Sequence, residues 1–341
     1  MSGTVSGGMR VAGRLAVLAL PVGLLATMGF RGAGEAGGKG AGVRVVAESE
    51  SGVGVRVSAR AVKPPRVVTA DWLSSHINDA GLVVLHVGEE ADYAAGHIQG
   101  ARFVDFRSLA APRQEGGLSL ELPPVEQLRS TLESWGISDG SMVVVYWGKD
   151  WVSPTTRVVF TLDYVGLGHN TAVLDGGMPE WTKQGKPLTK EAPVVRPGRL
   201  TLQPNPAVVA DADFVNAQRG KKGWALIDAR DTQFYEAAAG SDEGRPGHIP
   251  GAVSLPFGDV VSEDLKLLPE RELRALFERA GVARGDTVIA YCHVGQQATV
   301  VVFAARFLGH AVKLYDGSYQ DWQKRTDLPV ENRAAKRGAG K

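Results

Sequence analysis

Short apolar runs, each closed by glycine or polar residues, recur along the chain in two series. Residues 83–87, 143–146 and 172–174 make up the first, and residues 225–227, 287–291 and 312–315 the second. Runs of this length without alternation predict strands buried on both faces. Between the strands of the second series, residues 268–280 place Leu273, Leu276 and Phe277 at helical spacing and are closed by Gly281. Residues 298–308 are almost wholly apolar and end at Gly309. Both read as helices, the second buried beside a sheet. Strands alternating with helices predict an α/β fold, a mostly parallel sheet flanked by helices, present twice.

The two series are copies of one unit. Gly96-His97-Ile98-Gln99-Gly100-Ala101 is echoed by Gly247-His248-Ile249-Pro250-Gly251-Ala252. Further on, Leu167-Gly168-His169 and Asp175-Gly176-Gly177 with Trp181 match Leu308-Gly309-His310 and Asp316-Gly317-Ser318 with Trp322. Identical order in both halves points to duplication. Residues 188–206, punctuated by Pro193, Pro197, Pro204 and Pro206, read as the linker, leaving domains at 66–187 and 207–328 and a basic, small-residue tail at 329–341.

Ahead of the repeats, Arg10 and Arg14 precede an apolar stretch from Leu15 to Phe30. Residues 1–36 therefore have the form of an export signal, with a periplasmic or extracellular protein as its product, soluble once the signal is removed. The competing reading is a permanent membrane anchor; Pro21 and the shortness of the stretch count against it. Residues 37–65, rich in glycine, alanine and serine, read as a flexible lead-in.

Composition narrows the chemistry. Lys+Arg 38 against Asp+Glu 37 leave a net charge of +1 over 341 residues, so no global field draws in a polyanion, and no nucleic-acid motif is present. Cys292 is the only cysteine. An internal disulfide is impossible, and so is a thiolate-rich zinc site. No metal ligand set and no cofactor is expected.

Cys292 follows the predicted strand 287–291 directly and opens the loop His293-Val294-Gly295-Gln296-Gln297-Ala298 before a helix. The carboxyl end of a parallel strand is where α/β sheets carry their sites, and the free amides of the next helix can stabilise a thiolate there. Gly295 lets the loop curl around the sulfur. A buried, inert cysteine at a strand end is the plain alternative. Against it stand the polar loop and the first repeat, which has Trp147 at the matching position.

Across residues 66–325 the chain resembles the tandem rhodanese-domain proteins, the thiosulfate and 3-mercaptopyruvate sulfurtransferases. The resemblance rests on the Gly-His-Ile-Pro-Gly-Ala motif at 247–252, Asp228 and Arg230, Tyr291-Cys292 with its loop, and Asp316-Gly317-Ser318-Tyr319 with Trp322. It implies two rhodanese-like domains, the first inactive and the second catalytic. It also implies that Cys292 takes sulfur from a small anionic donor as a persulfide and hands it to cyanide or a thiol, with residues 293–298 cradling the anion. Asp228 and Arg230 are then braces beside the loop, and Trp322 closes the unit or lines the pocket. A monomer is expected.

The loop departs from both family patterns. Thiosulfate enzymes commonly carry Arg and Lys where this chain has His293 and Val294; the mercaptopyruvate type commonly carries Cys-Gly-Ser-Gly-Val-Thr; and Phe234 stands where a substrate-binding arginine is usual. Thiosulfate is the favoured donor, with 3-mercaptopyruvate transfer or a non-catalytic persulfide carrier as alternatives. A cysteine phosphatase is excluded because Ala298 occupies the position of its phosphate-clamping arginine.

Overall fold

A computed structural model describes residues 65–150, 152–238 and 244–332. The predicted export segment, nearly all of the predicted lead-in and most of the tail lie outside the described residues. The first half runs β1 (Val67–Val68), α1 (Ala70–His76), β2 (Leu82–Val87), α2 (Glu90–Ala95), β3 (Ala101–Val104), α3 (Val125–Ser134), β4 (Met142–Trp147), α4 (Val152–Tyr164), β5 (Thr171–Leu174) and α5 (Gly177–Lys183). The second repeats it as β6 (Val209–Ala210), α6 (Ala212–Gln218), β7 (Trp224–Asp228), α7 (Thr232–Tyr235), β8 (Val253–Ser254), α8 (Glu270–Arg279), β9 (Thr287–Tyr291), α9 (Ala298–Phe307), β10 (Ala311–Tyr315) and α10 (Ser318–Trp322).

Each half forms a five-stranded sheet, in the orders β1-β5-β4-β2-β3 and β6-β10-β9-β7-β8, with every pairing parallel. Parallel neighbours require crossovers, which the helices supply on both faces. Local signals recur as well. The Thr69 hydroxyl caps α1 by accepting from Trp72 N–H at 3.1 Å, and the Asp211 carboxylate caps α6 by accepting from Phe214 N–H at 2.8 Å.

The repeated motif histidines are structural in both halves. His97 Nδ1 lies 2.9 Å from the Tyr93 carbonyl and its ring stacks on Tyr93 at 3.8 Å. His248 Nδ1 lies 2.7 Å from the Tyr235 carbonyl and stacks on Tyr235 at 3.7 Å. Trp181 and Trp322 donate their indole N–H to the carbonyls of Pro187 and Pro329, each at 2.9 Å, and so close their units.

Both halves belong to one compact unit, joined along α4 and α9. The hydroxyls of Thr156 and Thr299, one from each helix, meet at 2.7 Å, and Arg306 pairs with Asp163. One apolar core runs through the junction, from Val158, Val159 and Phe160 to Val300 and Phe303. The predicted linker is a strap bound along the first half. Thr189 and His97 exchange two backbone hydrogen bonds at 2.9 Å, Gly198 N–H reaches the Glu133 carbonyl at 2.7 Å, and Thr201 N–H reaches the Asp139 carboxylate at 2.7 Å.

Candidate active site

β9 delivers Cys292 to the carboxyl end of the central strand of its sheet, the place its sequence context suggests. The residue is 1% exposed. Its N–H donates to Ser318 Oγ at 3.2 Å, and its carbonyl accepts from Tyr319 N–H at 2.9 Å. The turn opening α10 therefore braces the cysteine from the side. Ser318 holds that position in the left-handed region, at φ 53°, and its hydroxyl donates to the Tyr315 carbonyl at 2.8 Å.

From Cys292 the loop turns into α9. Among the described residues, no backbone N–H of residues 293–298 finds a protein acceptor. A run of successive open amides at a helix start is a cradle for an anion. Gly295, at φ 76°, makes the turn possible: a Cβ there would lie 2.5 Å from the Asp316 carbonyl oxygen. Gln296 is tied to the other half, its Nε2 donating to Ser153 Oγ at 3.0 Å. Val294 and Gln297 are half-buried, and Ala298 is buried as the first residue of α9.

His293 is half-buried, with its ring edge-to-face with Phe234 at 4.4 Å. Burial, and then the nearby Arg230 guanidinium, hold its pKa below the ordinary value, against the pull of Asp228 and Asp231. Both effects favour the neutral imidazole, so His293 is a weak replacement for a basic residue in the loop.

Asp228 and Arg230 are fully buried and face each other. Arg230 Nε lies 3.0 Å and Nη2 2.7 Å from the Asp228 carboxylate, and Nη2 also donates to the Gly247 carbonyl at 2.7 Å. The guanidinium sits over the Tyr319 ring at 4.1 Å. This arginine braces the sheet end and the turn after β10. Trp322 does not reach Cys292; it packs against Tyr315 in a separate buried cluster. Lys149, in the loop of the first half, pairs with Asp92 of that same half at 2.9 Å with its side chain 72% exposed.

The first half shows what its repeat lacks. Trp147 fills the place of the cysteine, and the residue matching Ser318 is Gly177, at φ 55°, where a Cβ would come within 2.5 Å of the indole nitrogen. Indole and glycine are one paired exchange against thiol and serine.

Three contributions escaped the sequence reading: Ser318, the segment 119–122 of the first half, and Arg157 in α4. Leu122 N–H donates to Asp316 Oδ2 at 2.8 Å, Ser119 N–H to Gln320 Oε1 at 2.7 Å, and Lys324 Nζ to the Gly116 carbonyl at 2.7 Å. Thus a loop segment of the first half lies across the turn that braces Cys292. The signal for Arg157 was a lone charge within the apolar face of its helix.

Comparison with known proteins agrees with this geometry. The Rhodanese-like domain model matches twice, at residues 69–184 and 211–325, and the chain belongs to that family. It is 32% identical over 279 residues to the probable 3-mercaptopyruvate sulfurtransferase of Pseudomonas aeruginosa, covering 78% of this chain and 97% of the relative. It is 30% identical over 286 residues to the sulfur carrier protein TtuD of Thermus thermophilus (78% and 96% covered), and 30% over 277 residues to the thiosulfate sulfurtransferase of Azotobacter vinelandii (78% and 97%). Among solved structures, SseA of Escherichia coli, described as a 3-mercaptopyruvate sulfotransferase, superposes with a TM-score of 0.66 at 29% identity, covering 75% of this chain and 99% of that one. The tandem repeat and the two parallel sheets are those of a two-domain sulfurtransferase.

Proposed function

We propose that this protein moves sulfane sulfur from thiosulfate to cyanide or a cellular thiol through a persulfide on Cys292, and that its first half is a catalytically silent partner. The Cys292 thiolate attacks the outer sulfur of thiosulfate; the S–S bond to the sulfonate breaks and sulfite leaves with the electron pair. Cyanide then attacks the terminal sulfur of the persulfide, forming thiocyanate and returning the thiolate. The two half-reactions give ping-pong kinetics. The observation that carries this reading is the lone cysteine at the strand end, beside the run of open amides at 293–298. Those amides favour the anionic persulfide over a neutral thiol.

Relatives carry both donor names and a carrier name, so the donor is argued from the loop. The mercaptopyruvate-type loop is absent, while small dianionic thiosulfate can be held by backbone amides alone. The test is steady-state thiocyanate formation by purified protein with thiosulfate and cyanide, beside Cys292→Ala. Turnover abolished by the substitution is the expected result. No turnover by folded, reduced wild type, with turnover on mercaptopyruvate, overturns the donor; no turnover on either overturns the enzyme in favour of a carrier.

A further inference from the structure

Arg157 belongs to the first half, yet its guanidinium reaches the sulfur loop of the second. It is 2% exposed, in the first turns of α4. Nη1 donates to the Gly295 carbonyl at 3.0 Å and to Asp316 Oδ1 at 2.6 Å, and Nη2 donates to the Leu120 carbonyl. Two routes run from this one group to Cys292. One passes along the loop through Gly295. The other passes through Asp316 to Ser318, two residues on, whose Oγ accepts the Cys292 N–H.

The peptide that follows Gly295 is planar and trans, so its carbonyl and the Gln296 N–H point in opposite directions. With the carbonyl held at the interface by Arg157, the Gln296 N–H faces away from Arg157 and stays among the open amides. A free Gly295 carbonyl could rotate, since glycine tolerates many backbone angles. Rotation would withdraw that amide and turn a carbonyl dipole toward the cradle.

The repeat supplies an internal control. Thr156 and Thr299 meet as counterparts, so the residue matching Arg157 in α9 is Val300. Val300 lines one small cavity with Trp147, Asp175 and Leu265, as Arg157 lies against Gly295, Asp316 and Leu120. Asp175 accepts from Leu267 N–H at 3.3 Å, as Asp316 accepts from Leu122 N–H. Leu120 and Leu265 even share a positive φ, at 60° and 59°. The same junction is therefore built twice, and only the side holding the cysteine has the arginine. The fold does not require it.

We propose that Arg157 is a positioning residue, contributed by the first half, that fixes the Gly295 carbonyl and thereby presents the loop amides to the sulfur of Cys292. The inference rests on Cys292 being the sulfur-carrying residue. Among the described residues, the charged and titratable groups around the loop and its braces are Arg157, Asp316, Glu121, the Asp228–Arg230 pair, Asp231 and His293, so the thiolate is read with all but the first two left intact.

Because Arg157→Met alone strands the Asp316 charge, the decisive variant is Arg157→Met with Asp316→Asn, which removes both charges together. Lys324→Ala breaks a different contact between the halves and serves as the control. Each folded variant is measured twice: kcat and KM for thiosulfate, and thiolate absorbance against pH, which in a one-cysteine chain reports Cys292 after subtraction of Cys292→Ala. The double variant is expected to lose about ten- to a hundredfold in kcat/KM and to form its thiolate at higher pH, with Lys324→Ala matching wild type in both. A double variant with wild-type kinetics and an unmoved thiolate titration overturns the proposal, and so does an equal loss in Lys324→Ala. The thiolate titration needs no turnover, so an inactive wild type would overturn the thiosulfate reading while still deciding the role of Arg157.

Discussion

Around Cys292, single residues are constrained in different ways. Gly295 faces two restrictions, a left-handed backbone and a carbonyl oxygen 2.5 Å from where a Cβ would sit. Gly285 has the same sign of φ, at 90°, but open space around it. Gly295→Ala should therefore destabilise the fold by about 1–3 kcal/mol and also lose thiocyanate turnover, whereas Gly285→Ala should lose stability alone. Urea melts beside turnover measure both, and wild-type activity in Gly295→Ala would mean that the loop geometry is not what the sulfur uses. The glycine was legible in the sequence as a tight turn. Arg157 was not, because the meaning of a charge on an apolar helix depends on a carbonyl contributed from 138 residues away. The family resemblance implied a bracing role for Asp228 and Arg230, and in the fold the two form a buried two-pronged pair.

At the level of elements, the inner strands β4 and β9 were readable because strands covered on both faces are continuous apolar runs. The two-residue strands β1, β6 and β8 were not, since only the neighbouring strand makes them strands. The ordered linker was also hidden: its prolines announce a break, but the groups that bind it lie elsewhere in the first half. Comparing β2 with β7 yields a further expectation. His86 holds the place of Asp228, and Gly88 that of Arg230. Tyr146 OH accepts from Ile98 N–H at 3.2 Å and lies 3.0 Å from His86 Nδ1, while His86 Nε2 is buried with no hydrogen-bond partner among the described residues. Burial pushes the His86 pKa down to about 4, with the charge of His97 adding to the effect and Asp92 opposing it. Between pH 6.5 and that value the unfolded chain takes a proton that the folded chain refuses. Stability therefore falls as pH drops through this window, by about 3 kcal/mol from this residue. Urea melts at pH 7 and pH 5 should show a smaller loss in His86→Gln than in wild type; equal losses would place the proton elsewhere.

Across the whole molecule, duplication has been followed by divergence around one loop. Both halves keep the sheet order, the histidine stacks and the closing tryptophans, while the thiol, Ser318 and Arg157 all serve one loop. The first half has Trp147 at the thiol position and lies against the second through a shared apolar core, so under the proposed function its part is to shape a site rather than to react. The duplication was plain in the sequence; the crossing of residues 119–122 over the other half was not, because no local pattern records which surfaces meet. The central claim is that one thiol carries the sulfur, and the intact mass of the whole chain tests it most directly. Protein treated with thiosulfate and desalted without reductant should gain the mass of one sulfur atom, located at Cys292, and should lose it on adding cyanide. A wild-type mass left unchanged by thiosulfate, or a gain that persists in Cys292→Ala, would contradict the account.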